Sequence, residues 1–208
     1  NGDKVGMLLF HGGADLYIPP RKGGKHALRI VREVLARGTG SLDGPAPRMG
    51  LIPRVLRRVW KKFQDARQSE RRGTSIAAAL EMCRQVLPRR AVIFLISDFL
   101  DEGYLDVLRH ANRKHDVVAA LITDPREAEM PPAGLVTLED AETGSTRLVD
   151  TRSQAFRTDL AKRANDRREA LKQQLRATGM DLVVLDASGS MVDPLLRYFR
   201  ERERRLRR

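Results

Sequence analysis

Residues 91–96 read Ala-Val-Ile-Phe-Leu-Ile, six apolar side chains in a row, and Ser97-Asp98 follows directly. A strand that is apolar throughout must be covered on both faces, as in a parallel sheet between layers of helices. Residues 117–122 and 182–185 have the same character, and helix-like segments separate the runs. Strands alternating with helices predict an α/β fold with three layers and a mainly parallel sheet.

The rest of the chain fits around this sheet. The apolar run at 5–10 predicts a further strand of the same sheet, and the apolar spacing within 24–37 predicts a helix. Residues 135–138 and 147–149, joined by Glu-Thr-Gly-Ser at 142–145, predict a β-hairpin. A long helix over 153–178 and a last helix from about residue 194 complete the prediction.

Charge is distributed unevenly along the 208 residues. The net charge of +12 comes from +4 in residues 1–41, +6 in 42–72, −3 in 73–196 and +5 in 197–208. A mildly acidic body with basic appendages is unlike most nucleic-acid-binding domains, which spread basic residues over one face of the fold. The composition therefore argues against nucleic acid as the main partner.

Composition also limits the class of protein. The single cysteine, Cys83, excludes a disulfide framework and a cysteine-based zinc site. No apolar run approaches the roughly 18 residues of a membrane helix, and no signal peptide opens the chain. We expect a cytoplasmic protein, and the start at Asn1 without an initiator methionine suggests a fragment or a processed product.

Oxygen-bearing side chains follow the predicted parallel strands, where α/β proteins gather functional groups. They are Ser97, Asp98 and Asp101 after the first strand, Thr123 and Asp124 after the second, and Asp186, Ser188 and Ser190 after the last, with Thr74 at a helix start. Such ligands suit Mg²⁺ or Mn²⁺.

Each candidate also has a purely structural interpretation. Thr74 could be the N-cap of its helix, and Asp98 could cap a turn. Asp101 and Asp124 could be solvated loop residues, and the Asp186–Ser190 motif could be a plain turn. The four histidines show no metal-ligand spacing and are expected at the surface, and Cys83 is expected in the core.

Several segments together resemble one family. They are NGDKVGMLLF at 1–10, IPPRKG at 18–23, RGTSIAAAL at 72–80 and VIFLISDFLD at 92–101, with the hairpin at 135–150 and PLLRYFR at 194–200. They resemble the bacterial domain of unknown function 58, a von Willebrand factor type A-like domain. The resemblance implies a Rossmann-like sheet of type A with a β-hairpin excursion. It also implies a single domain over 1–208, with a basic insertion at 42–72 and an Arg-rich tail at 197–208.

The resemblance also implies a metal site. Type A domains hold Mg²⁺ with an Asp-x-Ser-x-Ser loop after the first central strand, followed along the chain by a Thr and an Asp. Thr74 and Asp98 match the Thr and the Asp. Because Mg²⁺ takes about six oxygens, these two residues form a partial site, and binding of Mg²⁺ or Mn²⁺ by this chain is expected to be weak.

Two interpretations account for the first loop. In one, the chain lacks the first strand and helix of the family, and Asp186-Ala187-Ser188-Gly189-Ser190 matches the loop by chance. In the other, the chain is a circular permutant, in which 182–190 fill the central position beside 91–96. The tail at 192–199 resembles the family's own C-terminus, which favours truncation.

The resemblance implies a non-enzymatic, metal-dependent protein-interaction module, a partner or adaptor of a MoxR-type AAA+ ATPase. One alternative is a Mg²⁺-dependent phosphoester hydrolase with Asp98 and Asp101 as ligands, although no phosphate-binding glycine loop or general base accompanies them. Another is a nucleic-acid-binding protein that acts through the basic segments, with a steep salt dependence of binding.

Overall fold

The structure is a computed structural model that describes residues 2–10, 14–38, 75–125, 129–139 and 144–207. Within these residues the chain forms two units, Asn1–Pro88 and Arg89–Arg208. The basic insertion predicted at 42–72 lies outside the described residues. The prediction of a single domain over 1–208 therefore stays a prediction.

The C-terminal unit contains the predicted parallel sheet. Its strands are β3 (Val92–Ser97), β4 (Asp116–Thr123) and β7 (Asp181–Asp186), hydrogen-bonded in the order β3-β4-β7. All neighbours are parallel. Residues 117–121 of the central strand are at most 3% exposed. The all-apolar runs therefore predicted the strands and the burial of the central one. The expected cover on both faces of β3 is not found, because Val92 and Ile96 are each 55% exposed.

Three helices and a hairpin complete this unit. The helices are α3 (Leu105–Lys114), α4 (Gln154–Ala177) and α5 (Val192–Leu206). The hairpin pairs β5 (Leu135–Glu139) with β6 (Thr146–Asp150) in antiparallel register, as predicted. The Arg-rich tail predicted at 197–208 is largely the second half of α5.

The N-terminal unit differs from the prediction. Strand β1 (Val5–Phe10) pairs antiparallel with β2 (Ala14–Arg21) and forms no ladder with the parallel sheet in the described residues. The expectation that 5–10 join that sheet is therefore wrong for this part of the chain. A short apolar run indicates burial but carries no information about strand direction, which the two-strand register decides.

Two helices belong to this unit, α1 (Gly24–Gly38) and α2 (Ile76–Val86). Met82 and Val86 of α2 pack with Leu8 and Tyr17 of the two strands. Cys83, on the same helix, is partly buried, and burial raises the pKa of its thiol to about 11.

Helix α5 is fastened to the amino-terminal end of the parallel sheet. The Tyr198 hydroxyl donates a hydrogen bond to Asp181 Oδ2 at 3.0 Å. Arg202 pairs with Asp116 and also lies 3.6 Å from Asp181, while Arg205 donates to Asp181 Oδ1 at 3.0 Å. Two carboxylates at the starts of neighbouring strands are thus neutralised by one helix.

His115 corrects an expectation of the sequence analysis. It was expected at the surface, but it is 1% exposed, at the junction of α3 and β4. Neither ring nitrogen has a hydrogen-bond partner among the described residues. Burial, with a smaller contribution from Lys114, lowers the pKa of this imidazole.

Candidate metal-binding loops at the carboxyl end of the sheet

Parallel pairing brings three polar loops to one edge of the sheet. In the register, Ser97 lies beside Leu121, and Thr123 lies beside Asp186. The segments after β3, β4 and β7 therefore all leave the sheet at its carboxyl end. This is the arrangement expected from the positions of the polar residues in the sequence.

The loop after β3 presents Asp98 to solvent. Asp98 Oδ1 accepts hydrogen bonds from the Leu100 backbone N–H at 3.2 Å and from Ser97 Oγ at 3.3 Å. Ser97 Oγ in turn accepts the backbone N–H of Phe99 at 3.1 Å. The second oxygen, Oδ2, accepts no hydrogen bond from the residues that the structure describes. Asp98 thus caps a turn and still offers one oxygen outward.

Phe99 holds this turn in an unusual conformation. Its φ is +55°, and no other non-glycine residue in the described parts of the chain has a positive φ. The side chain is 3% exposed, and its ring lies 5.8 Å from that of Tyr104. Left-handed backbone costs a bulky residue roughly 1–2 kcal/mol, and burial of the aromatic ring offsets that cost. The packing therefore fixes where Asp98 points.

The Asp186 loop forms a compact turn of its own. Asp186 Oδ1 accepts the Ser188 backbone N–H at 2.8 Å and the Ser188 hydroxyl at 2.7 Å. Both bonds lower the pKa of the Asp186 carboxyl, and the bond from the Ser188 hydroxyl has the larger effect. Ser190 Oγ accepts the Asp193 backbone N–H at 3.3 Å in the first turn of α5. The turn interpretation of this motif accounts for each of these contacts.

Strand order separates the two aspartates. Because β4 lies between β3 and β7, Asp98 and Asp186 follow strands that are two spacings apart, about 10 Å. Two ligands of one Mg²⁺, each at roughly 2.0–2.1 Å, must lie much closer than that. The permutant interpretation, which placed 182–190 directly beside β3, is wrong, because β7 lies on the far side of β4.

The predicted partial site pairs Asp98 with Thr74. Thr74 lies outside the described residues. The N-cap of α2 is Ser75, whose hydroxyl accepts the Ala78 backbone N–H at 3.2 Å. Among the residues that are described, no three His, Cys, Asp or Glu side chains are grouped to hold a metal ion.

A second polar cluster, which the sequence did not reveal, lies at the opposite end of the sheet. Asp116 and Asp181 are the first residues of β4 and β7, and both bond to α5. A carboxylate directly before an apolar run was the available signal. It could not be interpreted without knowing that the two strands are neighbours.

A family model identifies the family, and several uncharacterised proteins are similar in sequence. The model of the family described as "Protein of unknown function DUF58" matches residues 1–170. The uncharacterised protein Rv1480 of Mycobacterium tuberculosis is 27% identical over 204 residues, covering 98% of this chain and 55% of the relative. An uncharacterised protein of Mycobacterium avium is 32% identical over 130 residues, covering 62% of this chain and 76% of that protein. The chain thus spans about half the length of the tuberculosis relative.

One solved structure was also found to be similar. It is the crystal structure of an uncharacterised membrane-spanning protein from Vibrio fischeri, 15% identical, covering 96% of this chain and 74% of that one, with a TM-score of 0.21. So low a score supports no argument about this chain. Among the helices that are described, none has the length and apolar character needed to cross a bilayer.

Proposed function

The chain belongs to the family of proteins of unknown function DUF58, and we propose that it is a metal-dependent protein-interaction module with a fold of the von Willebrand factor type A kind. The mixed α/β architecture and the order β3-β4-β7 are compatible with the second half of such a sheet. The partner we propose is a MoxR-type AAA+ ATPase, as the family resemblance implies.

The observation that carries the proposal is the loop at residues 97–100. It presents an exposed carboxylate at the carboxyl end of a parallel strand, in a turn that includes the strained Phe99. Strained backbone of this kind persists only where the surrounding structure enforces it, and it clusters at functional sites.

The rest of the metal site is proposed to come from a further strand beside β3. In the described residues β3 is the end strand of its sheet. An Asp-x-Ser-x-Ser loop at the end of such a strand would lie one spacing, about 4.8 Å, from the end of β3. The tuberculosis relative is longer than this chain, which covers 55% of it, and we propose that the corresponding strand belongs to a longer polypeptide.

The chemistry follows from the ligands. One carboxylate and one hydroxyl, Asp98 and Thr74, satisfy too few of the roughly six positions of Mg²⁺ for tight binding. A third loop with one carboxylate and two hydroxyls would leave a position for a carboxylate of the partner protein. The cation would then join the two proteins, and no bond would be made or broken.

Calorimetric titration of Mg²⁺ and Mn²⁺ tests the proposal. We expect weak binding by the present chain, with little change in Asp98→Ala. A chain extended upstream by the additional strand should bind at least about tenfold more tightly and lose that gain in Asp98→Ala. Asp186→Ala in the extended chain is the matched control and should bind like the parent. If the extended chain bound no better, or ignored Asp98→Ala, the proposal would be rejected.

The hydrolase alternative predicts a different pattern. Asp101 would then be a ligand too, so Asp101→Ala would weaken metal binding as much as Asp98→Ala. Metal-dependent cleavage of bis-p-nitrophenyl phosphate would also be measurable. The interaction module predicts neither result. It predicts binding of a MoxR-type ATPase that a chelator reverses.

A further inference from the structure

Helix α5 has an apolar side that the described fold does not cover. Val192, Leu196 and Phe199 follow one another at spacings of four and three residues, so they lie along one side of the helix. Their exposed fractions are 61%, 46% and 48%. The helix uses a different side, with Leu195 and Tyr198, to pack on the sheet. The exposed residues are therefore additional to those that anchor α5.

This apolar side continues onto strand β3. The rings of Phe199 and Phe94 are 5.6 Å apart. Val92 and Ile96 lie two residues before and after Phe94, so they share its face of the strand, and each is 55% exposed. We call the combined area the α5–β3 surface: Val92, Phe94, Ile96, Val192, Leu196 and Phe199. A contiguous apolar area of this kind usually marks an interaction site.

Arginines border the α5–β3 surface. Arg200 lies one turn after Leu196, and with Glu203, Arg204 and Arg207 it lines a recess of about 260 Å³. Glu203 is paired with Arg207. Arg200 and Arg204 make no ion pair with the residues that the structure describes. The recess therefore has an excess of positive charge available to a ligand.

We propose that the α5–β3 surface binds an acidic amphipathic helix of a partner protein. A helix with apolar residues on one side would cover the exposed stripe, and carboxylates beside them would pair with Arg200 and Arg204. A second copy of this chain would bring arginines against arginines. A flat anionic bilayer would not fill the recess. It would also be repelled by Glu203, which lies one turn after Phe199 on the same side of the helix. This contact needs no cation, so it goes beyond the metal-dependent function proposed above.

The test uses a synthetic helix of about 16 residues, fluorescently labelled, with leucines along one side and glutamates elsewhere. A peptide of the same composition in scrambled order is its control. Anisotropy is measured with the full chain in the presence of EDTA, so that failure here is separate from failure of the metal proposal. We expect saturable binding of the amphipathic peptide only, weakening with salt.

Variants locate the binding site. Leu196→Asp, and Arg200→Glu combined with Arg204→Glu, should each weaken binding at least about tenfold. Leu148→Asp and Arg163→Glu, exposed substitutions on β6 and α4, are the matched controls and should bind like the parent. The doubly reversed variant should in turn prefer a peptide in which lysines replace the glutamates. A thermal unfolding curve for each variant verifies that it is folded.

Several outcomes would overturn the proposal. One is equal binding of the scrambled peptide, which would indicate charge attraction alone. Others are binding to vesicles of phosphatidylserine and phosphatidylcholine without peptide binding, or self-association that Leu196→Asp abolishes. If an upstream extension of the chain blocked the peptide, the protein's own polypeptide would cover the α5–β3 surface, and the partner-helix proposal would be wrong.

Discussion

His115 is a buried imidazole whose nitrogens accept or donate no hydrogen bond among the described residues. Its pKa is lowered by burial, because the charged form would lose its hydration there, and the nearby Lys114 adds to the effect. The unfolded chain, in which the imidazole titrates near its ordinary value of 6.5, therefore takes up a proton more readily than the folded chain. By linkage, this contribution to stability is present above that pH and declines as the pH falls below it.

We therefore expect the free energy of unfolding to decrease as the pH falls through and below 6.5, at up to ~1.4 kcal/mol per pH unit for the one extra proton. In His115→Leu, which cannot titrate, that part of the slope should disappear. Leu148→Ala, an exposed substitution on β6 that changes no titratable group, is the control and should keep the parental slope. Urea unfolding at several pH values measures it, and an unchanged slope in His115→Leu would assign the pH dependence to other groups.

One arginine of helix α5, Arg202, contacts the first residues of both β4 and β7. The Arg202 side chain is 21% exposed and those of Asp116 and Asp181 are 30% exposed. Arg202→Met keeps most of the aliphatic length but leaves two poorly hydrated carboxylates without this partner. We expect a loss of about 1–3 kcal/mol in the free energy of unfolding, less than for a fully buried pair. The measurement is the urea midpoint at constant m-value.

Arg163→Met provides the comparison for this helix. Arg163 pairs with Asp159 at 2.8 Å on α4, but both side chains are more than half exposed. Removing such a surface pair should cost no more than about 0.5 kcal/mol. Equal effects of the two substitutions would show that the contacts of Arg202 do not fasten α5 to the sheet.

At the level of the whole molecule, residues 89–208 form one compact unit that contains the parallel sheet, the β5–β6 hairpin and helices α3 to α5. Its core joins Val118 and Ala120 of β4 to Val183 and Leu185 of β7 and to Tyr198 of α5, and α5 is also bonded to the first residues of β4 and β7. We expect this fragment alone to show a mixed α/β circular dichroism spectrum and cooperative urea unfolding, as a unit with its own core should. Arg202→Met should lower the midpoint of the fragment as it does in the full chain. A fragment that unfolds without cooperativity would mean that residues 1–88 are needed for the core.

Much of the fold was predictable because the signals are local. The runs at 91–96, 117–122 and 182–185 became strands at nearly the same residues, since short runs rich in β-branched and other apolar residues favour strands. The hairpin also followed from its alternation and turn. Helix α1 was predicted correctly too, yet its apolar residues Leu28, Val31 and Leu35 are more than half exposed. Periodicity identifies a face without telling which neighbour covers it.

The candidate site was only partly predictable. Asp98 was identified from its place after a buried strand, but the positive φ of Phe99 was not, because phenylalanine rarely adopts that conformation and only the packing against Tyr104 allows it. The Asp186 motif looked equally suitable in the sequence. The strand order excludes it from a metal site shared with Asp98, because β4 lies between β3 and β7.

By itself, the sequence determined the identity and limits of the main strands and helices, the separation of basic and acidic segments, and the polar residues that end each strand. These depend on neighbours within a few positions along the chain. The tertiary structure alone decided that β4 separates Asp98 from Asp186, that β1 pairs antiparallel with β2, and that Arg202 neutralises Asp116 and Asp181. Such contacts join segments far apart in the chain, and their geometry depends on how apolar faces pack rather than on any local pattern.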